Sequence, residues 1–318
     1  VRRFGSSHPL AGYVLVACAA FLWAASANLA KAAFAGGWVP GLRPVDVLTL
    51  TQMRSTVSFV LLFLILLAMR GRRGIAMPWK AWLACLVLGA IGFAGSNYFY
   101  YFAISKTTVA TAIVIQYMSP VYVLLIRLAL REETVHRYRV LAVCSAVLGC
   151  ALVVGIGSGV SLRGNMVGIL AAQAATWAFT FSNVGGGRLT AKFDPMLVVM
   201  YSMMGAALLW LPINPPTAWR EHHYDTRQWL FLLGFAVFSM LVPYSLYFIA
   251  LRMLDATRAI VTSCLEPVFA SLLAWLLLKE ALRPLQVCGI LLVISATLLL
   301  QIRQRGREPE PLLEVPPG

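Results

Sequence analysis

Ten stretches of this 318-residue chain are apolar and long enough to cross the hydrocarbon core of a bilayer. A membrane-crossing helix needs roughly 17–25 predominantly apolar residues, because only a helix or a closed barrel satisfies its own backbone polar groups in lipid. The stretches fall near 11–35, 46–69, 80–103, 108–130, 138–157, 166–186, 195–213, 229–251, 257–278 and 284–302. Turn signals separate them: Gly36-Gly37 with Pro40, Gly71 to Gly74 with Pro78, Gly155 to Gly159, and Asn214-Pro215-Pro216. The expected fold is an all-α membrane protein of ten transmembrane helices.

Composition agrees with lipid as the solvent. The chain is 60% hydrophobic and 12% charged, with a mean hydropathy of +0.79. Soluble domains run at about 45–50% apolar and about 25% charged residues. A soluble enzyme, a nucleic-acid reader and a disordered scaffold are excluded. The net charge of +14 therefore belongs to topology, since cytoplasmic loops collect Lys and Arg. With both termini inside, inner segments hold 16 Lys and Arg and outer segments hold 7, with Lys31, Arg54 and Arg127 inside spans. Both termini are thus expected in the cytoplasm, in an inner or plasma membrane. Arg2-Arg3, the apolar run from Leu10 and Ala25-Ser26-Ala27 have features of a secretory signal. That run continues through Leu29 to Phe34, longer than a signal's apolar region, so a first span is expected instead.

The six cysteines all lie in apolar runs, with no CxxC and no nearby His, so neither a disulfide framework nor a metal site is expected. His222-His223 in an outer loop lacks partner ligands, and Gly155-Ile-Gly-Ser-Gly159 reads as a turn rather than a phosphate loop. No HExxH, GxSxG or Walker sequence is present, so no catalytic residue and no cofactor are expected.

The chain also repeats itself. Residues 97–140 align without gaps on 244–287, an offset of 147, with eleven of 44 positions identical, among them Tyr100/Tyr247, Pro120/Pro267 and Glu133/Glu280. Composition alone would give about one match in ten. Trp23 and Trp177 echo each other in spans one and six. A unit of five spans is odd, so the second copy enters the membrane from the opposite side, an inverted repeat of the kind that recurs in secondary transporters. The expected organisation is a cytoplasmic N-terminus over 1–10, a first repeat over 11–160, a second over 161–302, and a disordered cytoplasmic tail over 303–318.

The segment 265–300, LEPVFASLLAWLLLKEALRPLQVCGILLVISATLLL, resembles the EamA-type drug/metabolite transporter superfamily, and 118–154 carries the same pattern in degraded form. The resemblance implies a ten-helix permease whose spans 1, 3, 4, 6, 8 and 9 face inward while 2, 5, 7 and 10 are peripheral. It also implies a metabolite cargo such as amino acids, their derivatives or sugars, often moved outward. At Ser119 the first half lacks the acid that the second half has at Glu266.

Glu266 lies about nine residues into span nine, roughly 13 Å from its inner end, where a carboxyl must face the interior and find a partner. Arg258, Thr262 and Glu266 recur at helical spacing, a candidate polar stripe or a structural group beside Pro267. Pro120 and Pro267 are candidate hinges or packing kinks. Aromatic, amide and hydroxyl groups on inward spans form the remaining candidate site: Trp23, Asn28, Asn97, Tyr101, Gln116, Tyr117, Gln173, Trp177, Thr180, Tyr244 and Tyr247. Such groups grip an amphipathic solute or glue helices together. Arg54, on a span that resembles a peripheral one, is expected to be structural.

These readings lead to a secondary transporter that exports a small amphipathic metabolite by alternating access. An uptake or exchange permease and a non-transporting scaffold are the alternatives. The expected partners are a small-molecule substrate and the lipid bilayer, with a proton gradient or solute exchange as the drive, a homodimer as an allowed assembly, and no nucleic acid.

Overall fold

A computed structural model describes residues 9–35, 44–107, 109–131, 136–154, 166–215, 217–219, 224–278 and 283–305. The N-terminal residues 1–8, the Gly155–Gly159 turn, His222-His223 and the tail beyond Arg305 lie outside the described residues. Among the described residues the chain forms ten helical rods and no strand. They are α1 (Pro9–Ala35), α2 (Val47–Gly74), α3 (Trp79–Lys106), α4 (Val109–Gln116 then Ser119–Ala129), α5 (Arg137–Val154) and α6 (Met166–Thr190). The remainder are α7 (Pro195–Ile213), α8 (Thr226–Met253), α9 (Ala256–Ser263 then Leu265–Leu278) and α10 (Pro284–Arg305).

Seven of these, in α1 to α4 and α7 to α9, are long and apolar enough to cross a membrane. The other three are diluted by polar residues. α6 carries Gln173, Thr176, Thr180, Ser182 and Asn183, and the hydroxyls of Thr176, Thr180 and Ser182 bond the carbonyl four residues back. α5 begins on Arg137 and Arg139, and the apolar part of α10 covers only Pro284–Leu300.

The rods start where their sequence can satisfy the first free N–H groups. Asp46, Asp194, Asp225 and Asp255 each cap a helix N-terminus, Asp225 in a full capping box with Gln228. Of the five acidic residues described, only Glu266 caps no helix.

The duplication reappears in the backbone. Shifted by 147 residues, α3 falls on α8 end to end, the first segment of α4 falls on that of α9, and the start of α5 falls on the start of α10. Both α3 and α8 contain a π-helical stretch at the corresponding place, Leu88–Ala94 and Val237–Leu241. Both α4 and α9 break at the corresponding place, after Gln116 and after Ser263. Packing follows the same symmetry across the halves. α1 packs on α8 as α6 packs on α3, α2 on α8 as α7 on α3, and α1 on α9 as α6 on α4, while α5 packs on its own counterpart α10.

Small residues permit these crossings. A Cβ on Gly89 would sit 1.8 Å from the Ser202 carbonyl oxygen, and one on Gly205 would sit 2.2 Å from that of Leu86, so α3 and α7 meet backbone to backbone. Close approach through small residues is the usual way helices associate in lipid, where the hydrophobic effect gives little drive.

Candidate functional site

The two halves meet around a buried polar chamber of about 40 Å3, lined by residues of α1, α2, α3, α4, α6, α8 and α9. Trp23, Phe179 and Tyr244 supply aromatic walls, with Trp23 edge-on to Tyr244 at 5.4 Å and to Phe179 at 6.4 Å between ring centres. Ser26, Asn97, Tyr100, Tyr101 and Gln116 supply polar edges, and Arg54 and Glu266 supply the charges.

Arg54 is 2% exposed and rises from the middle of the α2 face that packs on α8. Its Nε donates to Ser239 Oγ at 2.8 Å, Nη1 to Asn97 Oδ1 at 2.9 Å and Nη2 to the Ser239 carbonyl at 2.7 Å. The guanidinium lies 4.9 Å from the Tyr101 ring centre and 5.6 Å from that of Phe235. Ser239 lies inside the π-helical stretch of α8 and four residues before Pro243, which has no N–H to give its carbonyl, so that carbonyl is open to an outside donor. Asn97 then joins the halves: its amide donates to Tyr244 Oη at 2.9 Å, and the two positions are equivalent under the 147-residue shift.

Glu266 stands in the first turn of the second α9 segment, just past the break at Cys264. Its Oε2 accepts from Tyr117 Oη at 2.8 Å, and Tyr117 occupies the matching break in α4. The two helix breaks are therefore bonded to each other through a phenol and a carboxyl. Pro120 and Pro267 stand in the first turns of the segments that follow, where a missing N–H costs little. They start helices rather than kinking continuous ones.

Polar networks lie at both ends of the bundle. At one end fully buried Gln52 is bonded to Asn214, and accepts from Trp219 Nε1 at 2.9 Å. Nearby, the Asp46 N–H donates to Tyr224 Oη, whose phenol burial pushes above its ordinary value. At the other end Asp255 draws Arg258 at 3.2 Å, Arg139 at 3.5 Å and Arg127 at 3.8 Å, beside a 510 Å3 vestibule that Arg188 and Arg252 also line.

Of the residues singled out in the sequence, the structure brings Trp23, Asn97, Tyr101, Gln116, Tyr244 and Glu266 to the chamber, with Tyr117 bonded to its rim. Tyr247 packs behind Trp23 and donates to Asn183 Oδ1. Thr180 bonds Ser119 at 2.9 Å and ties α6 to α4. Thr262 bonds the Arg258 carbonyl, and the break at Cys264 takes Glu266 out of the regular helix that carries Arg258 and Thr262. Asn28 is exposed and bonds the Ala24 carbonyl. Gln173 bonds Tyr122, and Trp177 stacks on Tyr122 at 4.5 Å while lining a separate 690 Å3 apolar groove of α2, α3, α6 and α7.

Arg54 is the chamber residue that the sequence reading set apart as structural. Its signal was present: one buried arginine and one buried glutamate, each alone in an apolar run, are expensive enough to seek a shared interior. Among the described residues no cluster of His, Cys, Asp and Glu could hold a metal ion.

The comparisons with known proteins agree with this geometry. The EamA-like transporter family matches residues 10–155 and 166–302. The inner membrane transporter YicL of Salmonella typhimurium is 28% identical over 71% of this chain and 75% of its own length, and is described as uncharacterized. The threonine/homoserine exporter RhtA of Escherichia coli K12 is 26% identical over 73% and 78%. The pseudopaline exporter CntI of Pseudomonas aeruginosa is 27% identical over 80% and 85%. One solved crystal structure superposes with a TM-score of 0.71 at 21% identity, covering 94% of this chain and 99% of its own, a likeness of fold. Matched across both of its repeats, this multi-pass membrane chain belongs to the EamA-like transporter family.

Proposed function

We propose that the protein is a secondary transporter that exports a small amphipathic metabolite, an amino acid, a derivative or a drug-like compound, by alternating access. The observation that carries this is the polar chamber, buried where two pseudo-equivalent halves pack through matched contacts. A space of 40 Å3 is about that of a water or two, so the halves must part on one side for a solute to reach Arg54 and Glu266. The breaks beside Pro120 and Pro267 are the places for that motion, and Tyr117–Glu266 is the contact that couples them. Export is supported by two relatives named for it, of threonine and homoserine and of pseudopaline.

The ten rods span the membrane as two inverted five-helix repeats in this reading, the termini are cytoplasmic, and the Asp255 end faces the cytoplasm. The basic loops favour that orientation. Cysteines introduced at Arg73 and Arg137 then stay shielded from an impermeant thiol reagent in whole cells, and one at Thr217 is labelled. The reverse pattern would overturn the orientation. Energy comes from a proton gradient or solute exchange, and a homodimer is compatible with the apolar outer faces of α5 and α10.

Solute counterflow into proteoliposomes, run with a metabolite panel, tests the transport reading itself. No counterflow of any member, with folded protein in the vesicles, removes it. The two tryptophans then separate chamber from groove. Trp23→Ala raises the apparent KM of a transported solute by about tenfold, from loss of ring contacts worth roughly 0.5–1.5 kcal/mol each beyond burial. Trp177→Ala leaves it within twofold. Equal effects of the two substitutions would remove the chamber from the solute's path.

A further inference from the structure

Arg54 and Glu266 line one small chamber, yet among the described residues no ion pair joins them, so their charged atoms stand more than 4 Å apart. Each is held by neutral groups instead. Arg54 has five N–H groups and spends three, on Ser239 Oγ, the Ser239 carbonyl and Asn97 Oδ1. One N–H on each terminal nitrogen is left with no acceptor among the described residues. Glu266 accepts from Tyr117 through Oε2, and its Oε1 accepts no hydrogen bond from any described residue. The chamber wall therefore holds two uncommitted N–H groups on one charged side chain and one uncommitted acceptor on an oppositely charged one.

Two N–H groups on the two ends of a guanidinium are the bidentate receptor of a carboxylate, and a bare carboxylate oxygen is the receptor of an ammonium. Resting on the transporter reading, we infer that Arg54 and Glu266 together read a zwitterionic head group, the carboxylate of the solute landing on Arg54 and its ammonium on Glu266. Asn97 positions Arg54 and Tyr117 positions Glu266, each through a single bond. Trp23 and Phe179 then face the solute's side chain, which is where one zwitterion would be told from another. The pair also works by exclusion. A solute with only a carboxylate leaves Glu266 unmatched and brings a like charge toward it; a solute with only an amine does the same toward Arg54. Net-neutral solutes with both charged groups on one carbon escape both penalties, because each charge finds its opposite in a site of low dielectric.

The experiment uses the purified full chain in proteoliposomes. The twenty common L-amino acids are run in counterflow beside neutral, monoanionic and monocationic metabolites. For the amino acid that exchanges best, the matching amine without the carboxylate and the matching acid without the amine are measured as competitors. At least one amino acid exchanges, and both truncated analogues compete at least tenfold more weakly. Glu266→Gln then narrows the gap between the amino acid and the acid analogue, and Arg54→Lys narrows the gap to the amine. Analogues competing as well as the parent amino acid would overturn the inference, and so would exchange confined to solutes that are not zwitterions; in either case transport itself still stands. Failure of every solute would bring down the transport reading instead. The wild-type competition result holds whether or not the variants fold.

Discussion

Glu266→Gln lowers solute exchange by about 10–100-fold while the amount of protein in the membrane stays within twofold of the parent. The other four acids described each cap a helix, and Asp194 and Asp255 also pair with arginines at the end of the bundle, away from the chamber. Glu266 stands apart, past a helix break and on the wall of the central chamber. Glutamine keeps the shape and an oxygen that accepts from Tyr117, so the bond between the two helix breaks survives. The substitution removes only the charge. A hydrogen bond to a charged group is worth about 1.5–3 kcal/mol, which is roughly the fold-change expected if that group meets the solute or the coupling proton in each cycle. Exchange rate in proteoliposomes and quantified membrane protein are the two readings needed. Parental exchange in Glu266→Gln would place the carboxyl among the structural groups, and a parallel fall in abundance and exchange would do the same.

Much of the fold was legible because lipid makes the sequence explicit. Every rod begins within three residues of an apolar stretch read from the sequence, since the spans are set by bilayer thickness and their ends by Asp caps and Gly or Pro turns. The offset of 147, found from matched Pro and Glu, returns as equal helix bounds. What the sequence did not carry is which distant donor meets a carbonyl that a helix leaves open. Pro243 leaves the Ser239 carbonyl open four residues before it, a signal the sequence does hold, yet nothing in the sequence joins that carbonyl to Arg54 on another helix. Assigning α2 to the periphery hid Arg54 for the same reason: a long side chain reaches inward past its own helix. Trp177 shows the converse. It matches Trp23 in the repeat, but α6 turns it toward Tyr122 and the outer groove, so equivalent sequence positions on two half-copies do not present equivalent side chains.

Arg54→Met has the larger effect on the protein itself. The arginine fixes α2 to α8 and to α3 at once, through Ser239 and Asn97. Methionine fills a similar length and keeps contact with Tyr101 and Phe235, but it leaves Asn97 Oδ1 and the Ser239 carbonyl without their donor in a buried setting. Each buried acceptor so stranded costs about 1–3 kcal/mol, against a total stability for a folded chain of about 5–15 kcal/mol. The fraction of protein that stays monodisperse in detergent after heating should therefore fall steeply, with the midpoint well below that of the parent. Arg54→Lys restores only part of it, because an ammonium is a compact charge and cannot place donors on Ser239 and Asn97 in the fixed plane of a guanidinium. Asn97→Asp in the Arg54→Lys background supplies an ion pair where the geometry is lost, and raises the midpoint above that of Arg54→Lys alone. Parental melting of Arg54→Met would mean that α2 and α8 hold together without this bond set, and that the buried charge of Arg54 is kept for the solute alone.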